Sequence, residues 1–305
     1  MIETRNLTKR FGKKVAVDDL TITVPPGRVT GFLGPNGAGK STTMRLLVGL
    51  ERPTSGTAMI NGRPFASAAA PLAEVGVLLD SKSCHPGRSP RDHLRILAAT
   101  HRIPASRVDD VLELTGLSSV ATQRFGKFSL GMAQRVGVAA ALLGDPRVLI
   151  LDEPVNGLDP EGVLWIRTLT RQLADDGRTV FFSSHLMAEM AQTADHVIVL
   201  GQGRLLADCP MGEFIARASG AVTRVRSPRA AELAEALAGP DVTVTSPEPG
   251  TLIIQGLDTV AVAEAAARHG WILHENTPVQ ASLETAFIEL TGSAVEYAGQ
   301  PLSSR

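Results

Sequence analysis

The chain has 305 residues, 44% of them hydrophobic, which is enough for one large domain or two smaller ones with a sizeable core. Its 30 basic and 31 acidic residues nearly balance, which argues against a nucleic-acid-binding surface. The two cysteines, Cys84 and Cys209, lie far apart and indicate a reducing compartment and no structural zinc. No stretch reaches the roughly 18 apolar residues of a membrane span, and the N-terminus has no signal-peptide character. We therefore expect any membrane contact to come through a partner.

The first chemical signal lies near the N-terminus, after a predicted strand region. Residues 1–24 alternate apolar and polar side chains, which is typical of half-buried antiparallel strands. A buried strand is predicted at 28–33 and a helix at 44–50, and the segment between them matches G-x-x-x-x-G-K-S/T. Such a loop surrounds phosphates with backbone N–H groups, its lysine adds a positive charge, and its hydroxyl can bind Mg²⁺. The predicted phosphate-binding residues are Gly34, Pro35, Asn36, Gly37, Ala38, Gly39, Lys40, Ser41 and Thr42.

Two further strands are predicted, at 57–60 and 75–79, and a helical insert is predicted after them. A serine, a proline and an aspartate within residues 89–92 mark a helix start, because they supply a cap, a first-turn proline and an acidic first turn. Helical patterns continue to Leu97 and again over residues 106–114. We therefore expect a helical subdomain over about residues 85–145.

Regular alternation returns after this insert. Residues 147–151 form a continuous apolar run, a helix is predicted at 160–175, a strand at 179–184, and another helix begins near Leu186. Apolar strands that alternate with amphipathic helices predict a largely parallel sheet.

Two carboxylates follow the strand at 147–151. In open α/β sheets, ligands bind at the carboxyl ends of the strands. Asp152 is therefore predicted to hold Mg²⁺ directly or through water, and Glu153 to polarise an attacking water. The alternative, two surface acids after a strand, is disfavoured by the phosphate-binding loop.

Three other side chains are candidates with plainer alternatives. His185 ends the strand at 179–184 and can contact a γ-phosphate or orient water, although a lone histidine is usually structural. Ser129 opens a helix that runs to about Leu143 and forms an anion site with the first helical N–H groups, or is an ordinary N-cap. Phe11 offers a flat surface for adenine, or is a core aromatic.

The pattern changes after about residue 216. Strands and helices in the order βαββαβ, followed by a last helix, predict a small ferredoxin-like domain over 217–292 beside a first domain over 1–216. The polar segment 293–305 is predicted to be a disordered tail. The C-terminal elements are predicted at 221–226, 228–237, 242–245, 251–255, 258–269, 271–274 and 282–291.

The order and spacing of these motifs resemble the ATP-binding cassette (ABC) ATPases over about residues 1–215. The finer resemblance is to the cassette subunits of bacterial drug and antibiotic exporters of the daunorubicin type, including the segment 282–292 at the end of their C-terminal domain. The matching elements are the Walker A loop at 34–42, Walker B with its catalytic glutamate at 148–153, the signature at 129–132, the D-loop at 156–159, the switch histidine His185, the adenine-stacking Phe11 and the Q-loop position Asp80.

This resemblance implies an α/β P-loop cassette with a mixed sheet, antiparallel N-terminal strands and a helical subdomain. It implies an ATPase that uses ATP and Mg²⁺, works as a dimer of cassettes with a separate membrane permease, and lies in the cytoplasm on the inner face of the membrane. The implied roles are catalysis by Lys40, Glu153 and His185, Mg²⁺ binding by Ser41, Asp152 and Asp80, and nucleotide contact across a dimer by Ser129, Gly131 and Asp159, with Asp80 also near the nucleotide.

Two positions depart from the family pattern. Asp80 stands where glutamine is usual, and it is shorter and only accepts hydrogen bonds. Leu130 stands where the signature usually has glycine, which removes backbone freedom.

Two other functions fit the same motifs. One is a soluble ABC protein that acts on ribosomes or DNA, but such proteins usually carry two cassettes or a long coiled-coil insert. The other is a regulatory cassette without turnover, which the intact Lys40, Asp152, Glu153 and His185 disfavour. A transport ATPase therefore remains the main prediction.

Overall fold

The computed structural model describes residues 1–80, 84–218, 222–240, 242–279 and 283–291. The chain divides into two compact units, one containing Met1–Met211 and the other Gly212–Leu290. The strands of the first unit are β1 (Ile2–Phe11), β2 (Lys14–Val24), β3 (Arg28–Leu33), β4 (Ser55–Ile60), β5 (Val75–Leu78), β6 (Val148–Leu151), β7 (Thr179–Ser183), β8 (His196–Gly201) and β9 (Arg204–Pro210). Its helices are α1 (Lys40–Leu47), α2 (Pro71–Glu74), α3 (Pro90–Thr100), α4 (Ser106–Leu114), α5 (Leu130–Leu142), α6 (Pro160–Asp175) and α7 (Met187–Thr193), and α8 (Met211–Ala218) begins at the boundary.

A six-stranded sheet forms the centre of the first unit, in the order β5-β6-β7-β3-β8-β9. All neighbouring pairs are parallel except β8 and β9, which are antiparallel. Every residue of β6 and β7 is buried, as expected for parallel strands that are covered on both faces. Phe32 and Phe181 pack in this core with ring centroids 4.8 Å apart. The predicted α/β fold with a largely parallel sheet is confirmed.

A second, antiparallel sheet has the order β2-β1-β4 and confirms the strands predicted within residues 1–24. Its buried side chains include Ile2, Leu7 and Leu20, which join the same core as Phe32. The strands β8 and β9 were not assigned from the sequence. The continuous apolar run of β8 was the signal that could have revealed it.

The second unit contains the remaining elements in the order βαββαβα. They are β10 (Val222–Arg226), α9 (Ala230–Leu237), β11 (Thr243–Glu248), β12 (Thr251–Gln255), α10 (Thr259–Arg268), β13 (Glu275–Pro278) and α11 (Leu283–Thr291). The four strands form an antiparallel sheet in the order β11-β12-β10-β13. Its core joins strand residues such as Val225 and Ile254 to helix residues such as Leu233 and Val262.

The prediction of a strand at 271–274 is wrong, because residues 271–274 form no strand and β13 begins at Glu275. The strand that pairs with β10 is β13, in which Glu275 lies opposite Arg226. Trp271 and Leu273 instead pack against the core of the second unit from the segment before this strand, and Trp271 stacks on His269 with centroids 4.4 Å apart. The apolar residues that pack this connecting segment on the core gave the same sequence pattern as a strand. The predicted start of the last helix at Ser282, the first residue of the predicted strand at 221 and the tail at 293–305 lie outside the described residues.

No helix among the described residues is both long enough and apolar enough to cross a membrane.

Candidate functional site

The site lies at one edge of the parallel sheet because three of its neighbouring strands end there. β7 lies between β6 and β3, and all three run in the same direction. The loop after β3 and the start of α1 contain the predicted phosphate-binding residues, β6 is followed by Asp152 and Glu153, and β7 is followed by Ser184 and His185. Strand order therefore brings together residues that are up to about 150 positions apart in the sequence.

A cleft of about 420 Å³ opens at this edge. Of the residues predicted from the sequence, it is lined by Phe11, Asn36, Gly37, Ala38, Gly39, Lys40, Ser41, Thr42, Asp152 and Glu153. Lys14 and Ala16 also line the cleft, and sequence analysis did not identify them. Lys14 adds a further cationic side chain to the walls of the cleft, which suits an anionic ligand.

The loop after β3 needs glycine for steric reasons at two positions. Gly39 has a φ of +104°, and a Cβ there would lie 2.3 Å from the carbonyl oxygen of Ala16. A Cβ on Gly34 would lie 2.7 Å from the carbonyl oxygen of Leu200. Since real Cβ atoms do not approach so closely, larger residues would displace the loop from the strands β2 and β8.

Lys40 is the first residue of α1 and is held over the loop. Its Nζ donates hydrogen bonds to the carbonyl oxygens of Gly34 at 2.6 Å and Pro35 at 3.3 Å. Burial lowers the pKa of Lys40, while the nearby carboxylates of Glu153 and Asp152 act in the opposite direction. The ammonium group is thus positioned and partly removed from water, which strengthens its interaction with phosphate.

Ser183, the last residue of β7, orients both carboxylate residues and was not predicted from the sequence. Its Oγ donates to Oδ1 of Asp152 at 2.5 Å and accepts a hydrogen bond from the backbone N–H of Glu153 at 2.9 Å. Ser183 has no exposed surface, so its hydroxyl is held in place by packing. One oxygen of Asp152 is therefore engaged within the protein, and Oδ2 remains for other interactions.

Glu153 and His185, which were predicted separately from the sequence, are in direct contact. Oε2 of Glu153 lies 2.6 Å from Nδ1 of His185. The same oxygen accepts a hydrogen bond from the backbone N–H of His185 at 3.2 Å. The contact leaves Nε2 of His185 directed away from Glu153 by the geometry of the imidazole ring. His185 therefore fixes the position of the carboxylate from the neighbouring strand.

Phe11 is an exposed surface residue, so the core-aromatic alternative is wrong: 48% of its surface is accessible. Nζ of Lys9 lies 4.7 Å from the centroid of its ring, in a cation–π contact. The same ammonium is 2.8 Å from a carboxylate oxygen of Glu51 and donates to the carbonyl oxygen of Arg52 at 2.9 Å. Lys9 thus anchors one face of the ring to the rest of the fold.

The other predicted residues do not line the cleft of their own chain. Ser129 is the N-cap of α5 and accepts a hydrogen bond from the N–H of Met132 at 3.2 Å. Asp159 is the N-cap of α6 and accepts from the N–H of Gly162 at 2.8 Å. Both caps are exposed. Gly131 lies in the first turn of α5, and Asp80 is exposed two residues after β5.

Comparison with known proteins identifies the fold and the family. A family model described as ABC transporter matches residues 17–156, and a model of a domain of unknown function matches residues 221–284. The chain is 35% identical over 301 residues to the Nod factor export ATP-binding protein I of Cupriavidus metallidurans, in a match that covers 96% of this chain and 97% of that protein. The chain belongs to the ABC transporter ATP-binding proteins.

Other similar ABC proteins include a bacitracin transport ATP-binding protein, BcrA, of Bacillus licheniformis. It is 43% identical over 213 residues, which cover 69% of this chain and 70% of BcrA. A solved ATP-binding subunit of an ABC transporter superposes with a TM-score of 0.65 and 25% identity, covering 71% of this chain and 92% of that one. A dimeric cassette bound to ADP and Pi shares the fold with a TM-score of 0.63, covering 69% and 99%. This ABC protein is an ATPase, as the sequence predicted.

Proposed function

We propose that this ABC ATPase powers the export of a drug-like or antibiotic-like substrate through a separate membrane permease. Relatives named for bacitracin transport, lantibiotic transport and Nod factor export support this assignment. The observation that carries the ATPase role is the cleft in which Lys40, Asp152 and Glu153 meet the glycine-rich loop. A soluble ATPase that acts on ribosomes or DNA is disfavoured by these transport relatives, and a regulatory cassette by the intact catalytic residues.

In the proposed mechanism, the residues of the cleft and the neighbouring His185 have separate roles in hydrolysis. Backbone N–H groups of the loop and the ammonium of Lys40 bind the phosphates and stabilise charge that develops in the transition state. Glu153 orients and polarises the attacking water, and His185 holds Glu153 in place. Phe11 supplies a surface on which the adenine ring stacks.

The donors in the cleft fit a magnesium ion. Ser41 offers a hydroxyl oxygen and Asp152 a carboxylate oxygen, and Mg²⁺ prefers such oxygen ligands. In proteins, Mg²⁺ usually also keeps water and phosphate ligands. When held by these residues, Mg²⁺ would supply positive charge that offsets the negative charge of the phosphates. Asp80, the third predicted ligand, does not line the cleft, and we include only Ser41 and Asp152 in the proposed magnesium site.

We further propose that two cassettes form the working unit. Ser129 and Asp159 are exposed at the N-termini of α5 and α6 but do not line the cleft of their own chain. A second copy could use these helix N-termini, with Gly131, to contact the nucleotide of the first, since such N-termini favour anions. In this proposal the dimer docks on a permease at the inner face of the membrane, and the proposed cassette over 1–216 carries all of the nucleotide contacts.

Removal of residues 217–305 tests the proposed domain division. The compact second unit has its own hydrophobic core, so we expect the truncated protein to bind ATP with a dissociation constant within a few-fold of the full chain. We expect its dimer or permease assembly to be weakened. Calorimetric titration with ATP and light scattering measure the two properties. Loss of ATP binding by a folded truncated protein would contradict the division.

Replacement of Lys9 by methionine tests the role of Phe11. Methionine keeps the length of the side chain but loses the cation–π contact and the ion pair with Glu51, so the ring becomes less constrained. We expect ATP to bind about two- to fivefold more weakly, in keeping with ~0.5–1 kcal/mol for an exposed contact. Binding of inorganic triphosphate, which has no base, should not change. An equal loss for both ligands would contradict this role.

A further inference from the structure

The helix α5 holds the segment that carries Glu153. We propose that Gln134, on this helix, is a positioning residue for Glu153, and that Leu130, one turn earlier, holds the other end of the same segment. The inference rests on the proposed role of Glu153 as the group that polarises water. Gln134 is 3% exposed, and its Nε2 donates a hydrogen bond of 2.8 Å to the carbonyl oxygen of Glu153.

Glu153 needs such support because its backbone is in an unfavourable conformation. Its φ is +52°, in the left-handed region that non-glycine residues rarely occupy, and residues there persist only when surrounding contacts hold them. The backbone N–H of Glu153 donates to Ser183, and its carbonyl oxygen accepts from both Gln134 and the N–H of Asn156. Gln134 thus contacts this backbone from α5, whereas Ser183 contacts it from the sheet.

Leu130 packs against the segment four residues after Glu153. Gly157 has a φ of +74°, and a Cβ placed on it would lie 2.5 Å from side-chain atoms of Leu130. A Cβ on Gly131 would lie 2.7 Å from the carbonyl oxygen of Gly157. The leucine that departs from the family pattern therefore packs closely against Gly157.

Leu130 and Gln134 are four residues apart and project from the same face of α5. Together they hold residues 153–157 at both ends. Arg135 extends the connection, because its guanidinium lies 4.6 Å from the ring centroid of Trp165 in α6, the helix that follows the segment. A shift of α5 would therefore move Glu153 relative to the sheet, and a shift of Ser129 at the start of α5 would have the same effect.

Gln134→Met tests the positioning role in the full-length protein. Methionine has a similar volume but cannot donate to the carbonyl oxygen of Glu153. We expect kcat for ATP hydrolysis to fall about tenfold or more, because a misplaced catalytic group is costly, while the ATP dissociation constant stays within twofold. Gln172→Met, at an exposed position of α6, is the matched control and should leave both values unchanged.

A double-mutant cycle separates positioning from a merely structural role. If Gln134 acts through Glu153, Gln134→Met should have little further effect on single-turnover hydrolysis when Glu153→Gln is already present. An equal fold-loss in both backgrounds, or a lower melting temperature with unchanged kcat per folded molecule, would overturn the proposal. Full turnover by Glu153→Gln alone would instead overturn the proposed role of Glu153.

The contact between Leu130 and Gly157 provides a second test that does not disturb the buried Gln134. Gly157→Ala should lower kcat strongly in the natural protein, because the new methyl group collides with Leu130. The same change should cost several-fold less in a Leu130→Gly background, where the collision with Leu130 is removed and the unfavourable φ remains. If Gly157→Ala caused the same fold-loss of kcat in both backgrounds, the proposed role of Leu130 would be overturned. The Leu130→Gly variant alone serves as the reference for the second background.

Discussion

Glu153→Gln is expected to slow ATP hydrolysis by about 10²- to 10⁴-fold and to leave ATP binding intact. Glutamine keeps the shape of the side chain and can still accept a hydrogen bond from His185, but it cannot take a proton from water. Because Lys40 and the loop are unchanged, ATP should remain bound and unhydrolysed. The variant should therefore accumulate as an ATP-bound dimer, which single-turnover assays and size-exclusion light scattering measure together.

The matched control for this variant is Glu113→Gln. Glu113 is an exposed glutamate of α4 and lies outside the cleft. We expect this change to leave both the rate of hydrolysis and the oligomeric state unaltered. If the Glu153→Gln protein hydrolysed ATP at the natural rate, the proposed role of Glu153 as the general base would be refuted. A monomer under saturating ATP would refute the two-cassette arrangement.

Lys40→Ala is expected to abolish measurable ATPase activity, with a loss of at least about 10²- to 10³-fold, as for removal of one preorganised electrostatic donor. The ammonium is buried and held by the carbonyl oxygens of Gly34 and Pro35, and the other α1 residues that line the cleft, Ser41 and Thr42, carry no positive charge. ATP binding should also weaken, because an ammonium that is partly removed from water interacts more strongly with phosphate than an exposed one.

Thermal unfolding measures this loss of binding directly. A ligand at 100 times its dissociation constant stabilises the folded state by ~2.7 kcal/mol, so the natural protein should show a clear increase in melting temperature with ATP. Lys40→Ala should show a much smaller increase at the same concentration. Arg45→Ala, at an exposed position on the same helix, should behave like the natural protein. Unchanged turnover in Lys40→Ala would refute the phosphate-binding role.

Local patterns were enough to predict most of the first unit. The strand at Arg28–Leu33 and the helix at Pro160–Asp175 have the predicted bounds. Each is encoded by residues close together in the sequence: a continuous apolar run for the strand, and an aspartate cap followed by a first-turn proline for the helix. The predicted strand at 271–274 failed because Trp271 and Leu273 pack on a core from a connecting segment, which apolar periodicity alone does not distinguish from a strand.

The candidate site was only partly predictable for the same reason. The loop at 34–42, Asp152 and Glu153 carry recognisable local motifs, and the cleft brings residues of this loop together with the two carboxylates and with Phe11. Ser183, Gln134 and Lys9 carry no such motif. Each acts on a residue that is distant in the sequence or on another element, and their roles depend on which elements become neighbours.

By itself, the sequence determined the ligand class and the family. The reason is that the phosphate-binding loop and the two carboxylates after β6 are each encoded by a few adjacent residues with strict steric and chemical requirements. Only the tertiary structure decided how these segments act together. The order β6-β7-β3 places Ser183 against Asp152, and the packing of α5 places Gln134 against the backbone of Glu153. The physical reason is that a hydrogen bond or a steric contact needs distances within a few ångströms, and for residues far apart in the chain only the packed fold sets those distances.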